Sequence, residues 1–238
     1  MIEIQNIRKK FKQLQVLNGV SISLSPGSVT ALVGPNGSGK TTLMKSIVGL
    51  VRPDSGTIHL DGELVSANPD VRNKMGYMSQ VARYPENLSP LELIAMVRGI
   101  RKQQTEIAEE LFSEFQLHEH LKKPMRSLSG GTRQKVGAVL AFMYEPRVLL
   151  LDEPTAGLDP LVTQRLKNRI RHVADNGSSV LITSHVIAEI EELATRIVYI
   201  NEGVIMYDGS VQNLLSSTGH SNLPAAIAAI MEKGGGVQ

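Results

Sequence analysis

The stretch Gly34-Pro35-Asn36-Gly37-Ser38-Gly39-Lys40-Thr41-Thr42 follows directly on the apolar run Ala31-Leu32-Val33. Few backbone arrangements suit three glycines, a lysine and two threonines in that order. Glycine lets the chain curl so that successive N–H groups point inward, which makes a concave donor for an anion. A helix starting near Lys40 would add its N-terminal dipole to the same anion. Lys40 can reach a terminal phosphate, and the Thr41 hydroxyl can ligate Mg²⁺. The alternative is a glycine turn with a solvated lysine. The full pattern Gly-x-x-x-x-Gly-Lys-Thr, set between a strand and a helix, favours a cradle for a nucleoside triphosphate.

The flanking chain supports that setting. Strands are expected at residues 1–7, 20–25, 29–34 and 56–62, with Ser25-Pro26-Gly27-Ser28 as a hairpin connection. Leu43, Ile47 and Leu50 recur at helical spacing after the glycine loop. Residues 86–145 read as helical, with Ser89-Pro90 as a start signal and a second helix from Thr105. A strand-helix alternation then returns. Residues 147–154 are an almost continuous apolar run typical of a buried parallel strand. A helix over 160–174, a strand near 178–185, another helix and a hairpin over 197–209 follow, then an apolar helix and a frayed end at Gly235–Gln238. This order predicts an α/β fold: an antiparallel N-terminal part, a parallel α/β core and an inserted helical subdomain. It is expected to form one domain over 1–238. The core takes 1–81 and 146–217, the helical subdomain 82–145, and the C-terminal helix and tail 218–238.

The parallel core carries a second constellation. Asp152 and Glu153 end the buried run, where one acid can hold Mg²⁺ and the other can take a proton from an attacking water. Solvated acids at a strand end are the plainer reading, weakened by the glycine loop. A third stretch, Leu128-Ser129-Gly130-Gly131, precedes a helix and forms another phosphate cradle. Lys40 already serves one terminal phosphate, so a second cradle suits the ATP of another copy. That implies a head-to-tail homodimer with two ATPs in its interface.

Here the sequence resembles the ATP-binding subunits of ABC transporters over nearly its whole length. The resemblance rests on Gly34–Thr42, Gln80, Leu128–Gly131, Asp152-Glu153, Ala156–Asp159 and His185, in the family's order. It implies an ABC ATPase of the P-loop type, hydrolysing ATP with Mg²⁺. Gln80 would touch Mg²⁺ and the attacking water, with Thr41 and, through water, Asp152 as further metal contacts. Glu153 would polarise the water, His185 would hold the γ-phosphate, and Asp159 would cross the dimer interface. Phe11 would stack on adenine where a tyrosine is usual, with Val16 also at the nucleotide; Ser129, Gly130 and Gly131 would act in trans. Thr132 departs from the glutamine that normally ends the signature.

A narrower resemblance is to the ATPase subunit of the nitrous oxide reductase maturation system, associated with copper–sulfur site assembly. It rests on residues 82–87, 128–142, 154–161 and the closing 226–231. It implies an integral membrane permease partner and an extracytoplasmic partner of the same system. Nothing in the chain asks for copper directly: His118 and His120 are two apart, and the nine methionines are dispersed.

Composition narrows the alternatives. Lys and Arg number 25 and Asp and Glu 23, a balance that argues against a nucleic-acid partner and a soluble, non-transport ABC ATPase. Absence of cysteine excludes disulfides. No apolar run reaches the roughly 18–20 residues that span a bilayer, so the expected place is cytoplasmic, peripheral on the membrane through a permease. Arg165, Lys167, Arg169 and Arg171 read as a solvated helix face, with lipid headgroups as the other reading. Tyr84 and Pro85 suggest a groove for a membrane partner's helix, or an aromatic plug.

Overall fold

The long alternating segments β1 (Ile2–Phe11) and β2 (Leu14–Leu24) pair as an antiparallel hairpin, burying Ile2, Ile4, Ile7, Leu17, Val20, Ile22 and Leu24. The computed structural model describes residues 1–81, 83–102 and 107–234, so the helix start at Thr105 and the tail Gly235–Gln238 lie outside the described residues. After Leu24 the chain changes sheet. β3 (Val29–Val33) joins a parallel sheet, and the Ser25–Ser28 turn is therefore not a hairpin connection. The reason is that β3 is buried on both faces and pairs with strands far along the chain, whereas β2 keeps one edge of the first sheet. α1 (Lys40–Ile47) follows the glycine loop and stops at Gly49, whose φ is +75°. Leu50 lies past that stop and is 67% exposed, so it takes no part in the helix face that its spacing suggested.

β4 (Ser55–Leu60) and the short β5 (Glu63–Leu64) return to the first sheet, which has the order β2-β1-β4-β5. β6 (Met75–Met78) enters the second sheet. The inserted helices are α2 (Pro90–Arg101), α3 (Ile107–Glu114) and α4 (Gly130–Phe142). Ser89 caps α2 in a reciprocal capping box with Glu92, with Pro90 at the first turn. β7 (Val148–Asp152), α5 (Pro160–Asp175), β8 (Ser179–Thr183), α6 (Ile187–Leu193), β9 (Arg196–Asn201) and β10 (Val204–Ser210) complete the core. The sequence did not suggest α7 (Val211–Thr218), a short helix started by Ser210; α8 (Leu223–Gly234) is the expected apolar helix.

The second sheet runs β10-β9-β3-β8-β7-β6, parallel except for β10. Its near-continuous apolar strands divide by alternation. Leu32, Val148, Leu150 and Leu181 face α1 and the antiparallel sheet. Ala31, Leu149, Leu151, Val180 and Ile182 face the opposite core, shared with α2, α4, α5, α6 and α8. Because β8 lies between β3 and β7, and β6 beside β7, the carboxyl ends of four strands meet at one rim. In such sheets that rim is where ligands bind.

Candidate nucleotide site

Four of the five parallel strands, β3, β6, β7 and β8, each deliver one polar loop to the rim. The glycine loop leaves β3, Gln80 follows β6, Asp152-Glu153 ends β7, and His185 follows β8. Close approach dictates the glycines. A Cβ on Gly34 would lie 2.1 Å from the Ile200 carbonyl oxygen, and one on Gly39 2.8 Å from the Val16 carbonyl oxygen. Gly39 also has φ +107°, which a side chain would strain. Val16, half-buried on β2, thus touches the loop through its backbone. The hydroxyl of Ser38 is buried inside the loop and meets no partner among the described residues. An unpaired buried hydroxyl inside a glycine-rich loop at a helix start suits an anion.

Lys40 donates from Nζ to the Gly34 and Pro35 carbonyls at 2.7 and 2.9 Å, folding back over the loop it would share with phosphate. Burial pulls its ammonium below the usual lysine range, while the carboxylates of Asp152 and Glu153 act the other way. Thr41 donates to Asp152 Oδ2 at 2.8 Å, and Thr183 donates to Asp152 Oδ1 at 2.7 Å. Asp152 is 2% exposed, and its two oxygens are held by the first turn of α1 and the end of β8. Glu153 has φ +50°, a left-handed conformation uncommon outside glycine, and its N–H donates to Thr183 Oγ1 at 3.0 Å. Its Oε1 accepts from Gln80 Nε2 at 2.9 Å and lies 3.0 Å from His185 Nε2. Gln134 of α4 reaches the Glu153 carbonyl at 3.4 Å.

Ser129 lies at the start of α4, where its hydroxyl accepts the Thr132 N–H at 3.1 Å and is hydrogen-bonded to the Thr132 hydroxyl at 2.8 Å. Gly131 packs so tightly on the loop after β7 that a Cβ would lie 2.4 Å from the Gly157 carbonyl oxygen. Asp159 accepts the Val162 N–H at the start of α5 and pairs with Lys135 at 3.1 Å. Phe11 is 47% exposed at the hairpin tip, with the Lys9 ammonium 5.2 Å from its ring centre.

Thr183, Gln134 and Glu189 escaped the sequence reading. Glu189 accepts from Thr155 Oγ1 and Ser184 Oγ, each at 2.8 Å, and so joins the loops after β7 and β8. A threonine closing a fully buried strand two residues before His185 was the one visible signal.

The profile of the family described as ABC transporter matches residues 17–156. The chain is 36% identical over 214 residues to the lantibiotic transport ATP-binding protein SrtF of Streptococcus pyogenes, spanning 88% of this chain and 93% of that one. It is 36% identical over 220 residues to the lipopolysaccharide export system ATP-binding protein LptB of Escherichia coli K12, covering 89% and 91%. The chain belongs to the ABC transporter family. Within it, the chain is an ATP-binding subunit and an ATP hydrolase. A solved structure described as the ATP binding subunit of an ABC transporter superposes at a TM-score of 0.91 with 26% identity, covering 97% of this chain and 99% of that one. The fold is accordingly the α/β P-loop ATPase fold anticipated from the order of elements. Among the described residues no helix is long and apolar enough to cross a membrane.

Proposed function

We propose that the chain powers an integral membrane permease as a homodimer closed by two ATPs. The observation that carries this reading is the separation of two phosphate cradles within one chain. The glycine loop converges with Gln80, Asp152, Glu153 and His185, whereas among the described residues the Ser129 side chain bonds within α4 and Gly131 packs on the loop after β7. Each ATP would lie on Gly34–Thr42 of one copy and on Ser129–Gly131 of the other, with Phe11 against adenine and Asp159 at the interface.

The hard oxygen donors of Thr41, Asp152 and Gln80 suit Mg²⁺, which when bound supplies charge neutralisation at the β- and γ-phosphates. Glu153 orients water for in-line attack on the γ-phosphorus and takes its proton as the bond to the β-phosphate oxygen breaks. His185 holds the γ-phosphoryl oxygens, and Lys40 with the loop N–H groups stabilises the charge that develops there. On this reading Lys40 would give up its two carbonyl partners for phosphate, and Gln80 and His185 would release Glu153, leaving its Oε1 to water.

The permease would dock where Val81, Arg83, Tyr84, Glu86, Met125 and Arg133 line a cavity of about 510 Å³. Docked there, the subunit would lie peripherally at the cytoplasmic face of the membrane. For cargo we propose the nitrous oxide reductase maturation system, with copper–sulfur site assembly as its purpose and an extracytoplasmic partner. Support comes from the sequence strings at 82–87, 128–142, 154–161 and 226–231. The test is capture with Glu153→Gln from native membranes in ATP and Mg²⁺, with co-purified chains identified by mass spectrometry. A polytopic protein with an extracytoplasmic partner of that system supports both levels. Another permease removes only the cargo, and soluble partners alone remove the transport role.

A further inference from the structure

Gly137 sits in the interior of α4, where glycine costs about 0.5–1 kcal/mol relative to alanine. Its φ is not in the left-handed region, so backbone conformation does not require it. Space does. A Cβ there would lie 2.8 Å from the Tyr84 hydroxyl oxygen, while the nearest ring carbon, Cζ, is 4.0 Å away. The hydroxyl of Tyr84 thus fills a notch that only glycine leaves. The phenol is largely buried and is pushed up to about 12 by that burial, so it stays neutral across the working pH range. Its contribution at this contact is shape, since its hydroxyl oxygen is the first atom that an added Cβ would meet.

The geometry points to Tyr84 as a positioning residue for ATP hydrolysis, seated in the Gly137 notch so that Gln80 is held at Glu153. Tyr84 lies four residues beyond Gln80, whose amide donates to Glu153 Oε1 at 2.9 Å. The other side of the contact, α4, begins with the Ser129 cap and reaches the Glu153 carbonyl through Gln134. One helix therefore carries the trans-acting cradle, touches the backbone of the base and receives the pin that anchors the Gln80 segment. Lifting the ring from the notch moves Gln80 relative to Glu153 without touching the glycine loop that binds ATP.

This assignment rests on the roles given to Glu153 and Gln80 above. Its test is a double-mutant cycle on the purified full chain, with kcat and KM for ATP and unfolding midpoints measured for each variant. Gly137→Ala should lower kcat about tenfold, as expected for ångström-scale misplacement, with KM within about twofold of the parent. Tyr84→Phe, which keeps the ring and removes the oxygen that an added methyl would meet, is the second single variant of the cycle. Tyr84→Phe with Gly137→Ala should recover kcat to that of Tyr84→Phe, since the added methyl then meets Met78 Cγ at 3.8 Å and the ring Cζ at 4.0 Å, both ordinary contact distances. Tyr84→Leu, which vacates the notch from the other side, should lower kcat as Gly137→Ala does. Unchanged kcat in Gly137→Ala, or a double variant no better than Gly137→Ala, overturns the assignment. Glu153→Gln run alongside separates the levels. If it hydrolyses ATP normally, the underlying reading of the base fails; if it is inactive, the cycle tests Tyr84 alone.

Discussion

Glu153 is held in a left-handed backbone conformation at the end of a fully buried strand, at a cost on the order of 1 kcal/mol. The Thr183 hydroxyl, accepting its N–H and donating to Asp152, keeps the adjacent acids pointing to different tasks. Asp152 is tied to Thr41, and Glu153 is turned to Gln80 and His185. Replacing Glu153 by Gln should lower kcat at least about 100-fold, the usual scale for losing a general base, while ATP binding measured by equilibrium titration is retained. Ser129→Arg should abolish cooperative hydrolysis, because a bulky cation would fill the second cradle, yet leave ATP binding to the isolated chain intact. Equal activity in that variant would sink the shared site. At this scale the sequence was most legible at Lys40 and Thr41, whose glycine-rich stretch has little other use, while Asp152 and Glu153 gained weight from that stretch and His185 came only from the family resemblance. Thr183 and Gln134 were not legible. A threonine at a strand end and a glutamine on a helix are ordinary until the neighbours they bond are known.

Elements show the reverse balance, with types clear and partners hidden. The cations on α5 read as a solvated face, but they form a latch. Arg169 is only 7% exposed and pairs with Glu110 and Glu114 of α3, and Arg165 donates to the Glu114 carbonyl at 2.8 Å. Lys167 and Arg171 both pair with Glu192 on α6. Lipid headgroups would have to compete with these carboxylates. Arg169→Ala should cost about 1–3 kcal/mol, the scale of hydrogen bonds to a charged group, seen as a lower urea midpoint at constant slope. Hydrogen bonds from Lys167 and Arg171 hold Glu192 at about 2, below its ordinary 4.5. The folded-state value is the lower one, so its stabilisation is complete above pH 4.5 and fades as pH falls toward 2. Glu192→Gln should flatten the acid limb of a stability–pH curve in that window, and an unchanged limb would remove the pair from the account. No spacing rule announces such pairings, because α3 and α5 are separated in sequence by α4 and β7.

For the whole molecule, the decisive arrangement is the strand order that puts β8 between β3 and β7 and β6 beside β7. It gathers loops that are over a hundred residues apart in the chain, so Thr41 and Asp152 bond across 111 positions. If two copies close over two ATPs, Glu153→Gln should dimerise in ATP and Mg²⁺. Its thermal midpoint should then rise with protein concentration, because association stabilises the folded state by mass action. Light scattering that reports only monomer under those conditions would refute the closed pair. The chain of amino acids alone was enough to specify an α/β nucleotide fold, its glycine cradle and its acids, since these depend on local backbone freedom and on apolar runs that must be buried. It could not show that the Ser25–Ser28 turn crosses between sheets, that α5 is latched to α3, or that Gly137 makes room for Tyr84. Those features depend on which distant surfaces meet, and that follows from burying both faces of one sheet at once.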